Sequence, residues 1–166
     1  HNSFLMKKII LYISITLAAG LLLTNIYTSL VDARIWGAEF PKSMQAARSY
    51  YHFVTPGAFF GLFSPANLLF GLMSVIFFWN SPGKVRTFLI IAFLLYTANE
   101  AFTFAYFYPR NMIMFGTNIN ENLENIKSAW EQWNQMNWVR SIILLAGLIF
   151  SFKGLNAFYS IPDKSK

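Results

Sequence analysis

Two ionisable side chains stand inside apolar stretches of this chain, where a charge is costly. Glu100 lies within the apolar run 87–108, and Arg140 stands at the head of another run that ends near Gly154. On insertion scales, placing such a charge in hydrocarbon costs about 2–3 kcal/mol unless a partner or water receives it. Glu100 is therefore expected either to pair with Arg140 or to be protonated. A base beside a cation can also remove a proton from a bound molecule and stabilise the anion that forms.

Further polar side chains are expected at a similar depth in the membrane. Trp133, Asn137 and Arg140 share one helix face because they are spaced by four and three residues. His52 stands just before the second apolar run, where it could cover the polar pocket. The candidate catalytic residues are His52, Glu100 and Arg140, and the candidate ligand-binding residues are Asn25, Asn67, Asn99, Trp133 and Asn137.

Each of these residues also has a purely structural interpretation. A buried Glu–Arg pair can fix the register of two helices without doing any chemistry. Asn side chains in membrane helices often serve as interhelical hydrogen-bond partners, and a lone histidine beside a span is often only a polar surface residue. One His and one Glu do not supply the three or more ligands of a zinc or iron site. We therefore expect no metal and no cofactor.

Composition indicates a membrane protein. Hydrophobic residues make up 55% of the 166 residues and charged residues only 12%, about half the charged share of a typical soluble domain. The 18 Phe, 8 Tyr and 5 Trp are too many to bury in the core of a small soluble domain. The net charge of +6 comes from short flanks beside the apolar runs, which membrane topology explains better than nucleic acid binding. The absence of cysteine excludes disulfides, thiolate chemistry and Cys-ligated metal sites.

The apolar runs predict an all-α fold, an integral membrane four-helix bundle. The first three spans are expected at about residues 9–30, 57–79 and 87–108. The fourth span is the continuation of a helix that starts near Glu121, and it ends near Gly154. Pro41 can open a short outer helix between spans 1 and 2. The fourth helix is extended because a polar helical stretch runs into its span without a break. Pro109 should end the third span, leaving 111–120 as a loop in which Asn118 or Asn120 caps the fourth helix.

Charge flanking the spans predicts their orientation. We interpret residues 6–161 as one four-span membrane domain, 1–5 as a vector remnant and 162–166 as a cytoplasmic tail. One side of the membrane would carry seven basic residues against the single acid Asp163, namely Lys7, Lys8, Lys84, Arg86, Lys153, Lys164 and Lys166. By the positive-inside rule, both termini of this inner (plasma) membrane protein then face the cytoplasm.

Short motifs connect the chain with a known family. The pattern Trp130-x-x-Trp133-Asn134-x-x-Asn137-x-x-Arg140 before an apolar helix resembles the anthrone-oxygenase-like family of small four-helix membrane proteins. Tyr50-Tyr51-His52 before a proline-interrupted span with Asn67 adds to the similarity, which covers most of residues 9–156. For the oxygenases of that family, the resemblance implies cofactor-free oxidation of an electron-rich anthrone to a quinone. It also implies that His52 or Glu100 acts as the base and that Arg140 holds the anion.

Two classes of function remain open at this point. The first is a polar pocket in the outer half of the bundle that binds a hydrophobic aromatic, quinone-like or lipidic small molecule, with oxidation of that molecule in the enzymatic case. The second is a non-catalytic membrane protein whose polar residues join the helices and whose outer segment meets a partner. A transporter is less favoured because the chain shows neither an internal repeat nor a pair of broken helices. The expected partners are membrane lipid, the small molecule and a second copy in a homo-oligomer, with no nucleic acid.

Overall fold

The computed structural model describes residues 2–160, with side chains from Phe4 onward, and this part of the chain is helical with no β-strand. The predicted tail 162–166 lies outside the described residues. In order, the elements are α1 (Asn2–Tyr27), a π-helical turn (Thr28–Asp32), α2 (Ala33–Ala38), α3 (Lys42–Tyr50), α4 (Pro56–Phe77), α5 (Gly83–Phe102), a second π-helical turn (Thr103–Phe107), α6 (Tyr108–Gly116) and α7 (Leu123–Tyr159).

Within residues 2–160, four helical segments are long and apolar enough to cross a membrane, which confirms the predicted all-α, four-span architecture. They are Phe4–Ala38, Pro56–Phe77, Gly83–Gly116 and Leu123–Tyr159. The long helices pack in a ring in which α1 contacts α4, α4 contacts α5, α5 contacts α7 and α7 returns to α1. The short helix predicted between the first two spans is α3, which begins directly after Pro41.

Small residues on α7 allow α5 to approach it closely. The Cβ of any larger residue at Gly147 would lie 2.5 Å from the ring of Tyr96, and one at Gly154 would lie 2.7 Å from Leu89. The hydroxyl of Tyr96 is 2.9 Å from that of Ser151. Small residues serve this purpose in membrane helices because close backbone approach replaces the hydrophobic driving force that lipid cannot supply.

The bundle is extended at one end by a helical cap, which we define as α2, α3, α6 and the first part of α7. α7 has 37 residues and spans about 55 Å at 1.5 Å per residue, whereas the hydrocarbon core is only about 30 Å thick. Trp36, Met44 and Met114 are buried together in this cap. Arg48 fastens α3 to the end of α6, since its Nε and Nη1 donate to the carbonyls of Met114 and Thr117 at 2.7 and 2.6 Å. Burial at this contact lowers the pKa of Arg48.

Several predicted boundaries were wrong, and the most instructive error concerns Pro109. The helix does not end there but continues to Gly116, so most of the predicted loop 111–120 is helical. Pro109 is tolerated because it stands in the first turn of α6, where no N–H donor is required. In the preceding π-helical turn, the N–H of Tyr108 bonds to the carbonyl of Thr103, which shifts the hydrogen-bond pattern by one residue.

The ends of the other helices also differ from the prediction. The first helical segment runs beyond residue 30 to Ala38, and α7 continues past Gly154 to Tyr159. The N-cap position of α7 is Asn122 rather than Asn118 or Asn120. The Asn118 side chain instead donates to Glu121 at 2.7 Å, because amide side chains readily stabilise turns of their own.

Candidate ligand-binding site beside Arg140

Arg140 is buried where the cap joins the membrane bundle. Its side chain is only 6% exposed, and aromatic rings from three parts of the chain surround the guanidinium. The Cζ atom lies 4.4 Å from the ring centre of Phe107, 5.3 Å from that of Phe60 and 5.9 Å from that of Trp133. Ring faces attract a cation electrostatically, and the attraction is strongest where water is excluded.

The guanidinium also donates to an amide from the first helix. Arg140 Nη2 donates a short hydrogen bond to Oδ1 of Asn25, and Asn25 Nδ2 in turn donates to the hydroxyl of Ser141 at 2.8 Å. Asn137 donates from Nδ2 to the hydroxyl of Ser29 at 2.6 Å and to the carbonyl of Asn25 at 3.1 Å. These bonds join α1 to α7, so part of the predicted set does act as interhelical hydrogen-bond partners.

Five buried polar atoms near this network have no hydrogen-bond partner among the described residues. They are Asn67 Oδ1, Asn99 Oδ1, Trp133 Nε1, Asn137 Oδ1 and Arg140 Nε. All five belong to residues that the sequence singled out as site candidates. A buried polar atom without a partner costs about 1–3 kcal/mol, so native proteins rarely retain a group of them. A ligand or ordered water could supply the missing partners.

Helix packing places the residues with unpartnered atoms within two helical turns of the level of Arg140. Gly71 on α4 faces Tyr96 and Phe93 on α5. Asn67 lies one turn before Gly71 on α4, and Asn99 lies about one turn after Tyr96 on α5. Because the two helices run in opposite directions, Asn67 and Asn99 lie opposite each other. On the neighbouring pair, the contact of Tyr96 with α7 at Gly147 sets Asn99 about one turn from the level of Arg140. At a rise of 1.5 Å per residue, these residues, with Trp133 at one end and Asn99 at the other, occupy a slab about 16 Å thick.

Glu100 is half-buried beside this group, next to Asn99, whose Nδ2 donates to its carboxylate at 3.3 Å. The guanidinium of Arg140 donates to Asn25 rather than to this carboxylate. The direct Glu–Arg pair that the sequence allowed is therefore not formed: Arg140 donates to Asn25, and Glu100 accepts from Asn99.

His52 lies elsewhere, in an open groove of the cap. The groove has a volume of about 610 Å³ and is lined by α3 and by the segment 117–120. The imidazole is exposed and packs against the ring of Phe53, with 5.1 Å between ring centres. Of the eight candidate residues, the structure places seven in or beside the polar slab, and His52 is the one it sets apart.

Sequence reasoning missed the aromatic and hydroxyl residues that complete the site. Phe60 and Phe107 cover the guanidinium, and nothing in a chain with 18 Phe distinguishes those two. The hydroxyls of Ser29 and Ser141 had a signal, since each lies four residues after an asparagine of the network and so on the same helix face. The π-helical turn that orients Phe107 toward Arg140 has no recognisable sequence signature, although such turns are frequent at functional sites.

The described residues contain no metal-binding cluster, and a family model matches most of the chain. Among residues 2–160, no three His, Asp or Glu side chains lie close enough together to hold a metal ion. A family model described as anthrone oxygenase matches residues 46–150, a range that holds all the candidate site residues except Asn25. No curated protein and no solved structure matches the chain.

Proposed function

Because the chain belongs to the anthrone oxygenase family, we propose that the site beside Arg140 binds a flat hydrophobic anthrone, removes a proton from it and directs the oxidation of the resulting anion by O₂. The observation that carries this proposal is the group of five unpartnered polar atoms around a buried cation. A purely structural network would satisfy its own members. Aromatic walls beside a guanidinium suit a planar ring system that carries one anionic oxygen.

The first step of the proposed reaction is removal of a proton. The methylene carbon of an anthrone is acidic because its deprotonation makes the central ring aromatic and places the negative charge on the opposite oxygen. Glu100 receives the proton, and Arg140 stabilises the oxygen anion. A fixed cation in a water-poor site stabilises developing charge far better than water does.

The second step is the reaction of the carbanion with O₂. Oxygen adds at the former methylene carbon to give a peroxide anion, which takes up the proton held by Glu100. The resulting hydroperoxide loses water as the remaining C–H bond breaks. The carbon is oxidised by four electrons from CH₂ to C=O. Those four electrons reduce O₂, and one oxygen atom remains in the quinone while the other leaves as water. The protein's part is to hold the anion, accept the proton and exclude bulk water.

Glu100 is preferred to His52 as the base for a geometric reason. It lies beside Asn99 in the same slab as Arg140, whereas His52 lines the groove of the cap. A general base has to reach the proton that it removes. A ligand that rests on Arg140 is within range of Glu100 and not of the exposed imidazole.

The proposal is tested by following O₂ uptake with 1,8-dihydroxyanthrone and the purified protein in lipid nanodiscs, after subtraction of the uncatalysed rate. We expect one O₂ consumed per quinone formed. Glu100→Gln should lower the rate about 10²- to 10⁴-fold, the usual contribution of a general base, and His52→Ala should leave it unchanged. Loss of activity in His52→Ala alone would move the base to the cap groove, and no acceleration by the unmodified protein would refute the oxygenase function.

The alternative, a non-catalytic bundle, is favoured by one observation. The Asn25–Asn137 pair and its serine partners make four hydrogen bonds between the first helical segment and α7, which is what helix association alone requires. That account covers the α1–α7 side of the site. It leaves Asn67, Asn99 and Trp133 without a reason to be buried.

A further inference from the structure

The first two turns of α4 pack loosely beside Arg140. We call residues 56–63 the access segment. None of its residues is buried, whereas the rest of α4 buries Ser64, Asn67, Gly71, Ser74 and Val75. The neighbouring elements bury Asn25, Phe107 and Asn137 fully at the level of the site. Residues 100–106 of the third span also include no buried residue, so the access segment is one of two loosely packed walls of the site.

The composition of the access segment makes it easier to move. Pro65 lacks the N–H that would bond to the carbonyl of Gly61, so one helical hydrogen bond is missing at its end. Gly61 itself has no atom within 4 Å of the position of a Cβ. Glycine in a helix interior lowers helix stability relative to alanine. A segment with few buried contacts and a missing backbone hydrogen bond opens locally at low free energy.

Phe60 is the residue that the access segment contributes to the site. Its ring covers Arg140 at 5.3 Å, and it packs on Phe59 at 5.4 Å, which in turn packs on Phe63 at 4.6 Å. Leu62, on the side of the access segment that faces away from the bundle, is 65% exposed. α4 has only 22 residues, so it is just long enough to cross the hydrocarbon. Phe60 thus separates the buried cation from the lipid near one membrane boundary.

From these observations we infer that the ligand reaches Arg140 from the bilayer, through the wall formed by the access segment, and displaces Phe60 as it binds. This inference rests on the proposed function, since it assumes that Arg140 holds the ligand. A planar hydrophobic molecule with a polar oxygen concentrates near the membrane boundary, as amphipathic aromatic groups do. The ring of the ligand replaces that of Phe60 over the guanidinium, so the cation stays covered in both states.

The test is the kinetics of binding of 1,8-dihydroxyanthraquinone, a stable coloured probe, to protein in lipid nanodiscs by stopped flow. Gly61→Ala stiffens the access segment without a steric clash. We expect its association and dissociation rates both to fall about two- to fivefold, with little change in their ratio, because both processes pass through the same opened state. The matched control is Gly20→Ala, another exposed helical glycine with no neighbour within 4 Å, which should leave both rates unchanged.

A second variant probes the cover directly. Phe60→Leu removes the ring over Arg140 and should speed association several-fold. Equal rates in Gly61→Ala, Phe60→Leu and the unmodified protein would overturn the access route. Arg140→Gln separates the two proposals: if it abolishes binding while Gly61→Ala changes no rate, only the route is wrong. If Arg140→Gln binds the probe normally, the proposed site itself is wrong.

A measurement without ligand keeps the inference testable if the probe does not bind. Amide hydrogen exchange at residues 60–64 should be slower in Gly61→Ala than in the unmodified protein, and unchanged in Gly20→Ala. Exchange at residues 60–64 that is as slow as at 68–77 in the unmodified protein would show that the segment does not open, and the route would be refuted.

Discussion

At the scale of single residues, the site combines two kinds of asparagine. Asn25 accepts from Arg140 and donates to Ser141, so it is fully engaged within the chain. Asn67 is equally buried, but its Oδ1 has no partner. The first kind holds the bundle together, and we propose that the second is available to a ligand.

This contrast gives a stability prediction. Asn25→Leu removes the acceptor of a buried guanidinium and should lower the free energy of unfolding by about 3 kcal/mol, since the surviving charge loses its partner. Asn67→Leu removes an atom that is already unsatisfied, so thermal stability should stay the same or rise. The measurement is the unfolding temperature of both variants in the same detergent. Equal losses in the two would mean that Asn67 is satisfied in the folded protein and that the five atoms do not form a ligand site.

Much of the site could be predicted from residue types, and its geometry could not. Glu100 and Arg140 stand out in sequence because charges are rare in apolar runs, and seven of the eight candidates lie in or beside one slab. His52 drew attention because it stands just before a span, yet the cap holds it in a separate groove. The actual partner of Arg140, Asn25, depends on the rotation of α1 about its axis, which hydropathy does not specify.

At the scale of elements, the two π-helical turns and the glycines of α7 position the site. Each π-helical turn adds a residue to its helix and so rotates the next turns about the helix axis, which brings Ser29 to Asn137 and Phe107 to Arg140. The four spans were predictable from their apolar runs. The continuation of the third helix through Pro109 was not, because a proline in the middle of a helical pattern normally indicates an end.

Close contact between α5 and α7 gives a prediction at this scale. Gly147→Ala places a Cβ 2.5 Å from the ring of Tyr96, and the ring has to move because it is buried. Overpacking of this kind should lower the free energy of unfolding by about 1–3 kcal/mol. Gly20→Ala, with open space around it, should be neutral or stabilising. Thermal unfolding in detergent that finds the two variants alike would contradict the packing of α5 on α7.

At the scale of the whole molecule, the orientation of the bundle stays a prediction. The sequence bias puts both termini in the cytoplasm and the cap outside. The cysteine-free chain permits a direct test with single cysteines at the exposed positions Asn80 and Gln45. In whole cells, Gln45→Cys should react with an impermeant maleimide and Asn80→Cys should not. The reverse pattern would place the cap and the site beside it on the cytoplasmic side.

The central claim is that Arg140 holds an anionic oxygen of a hydrophobic aromatic ligand. It is tested most directly by titrating bound 1,8-dihydroxyanthraquinone, whose colour changes when a phenol ionises. An adjacent buried cation should make the bound probe ionise about one to three pH units lower than the same probe in protein-free nanodiscs. Arg140→Gln should abolish that difference, whereas Arg110→Gln, which removes another arginine that stacks on an aromatic ring, should preserve it. A probe that ionises at the same pH in the unmodified protein and in Arg140→Gln would contradict the claim.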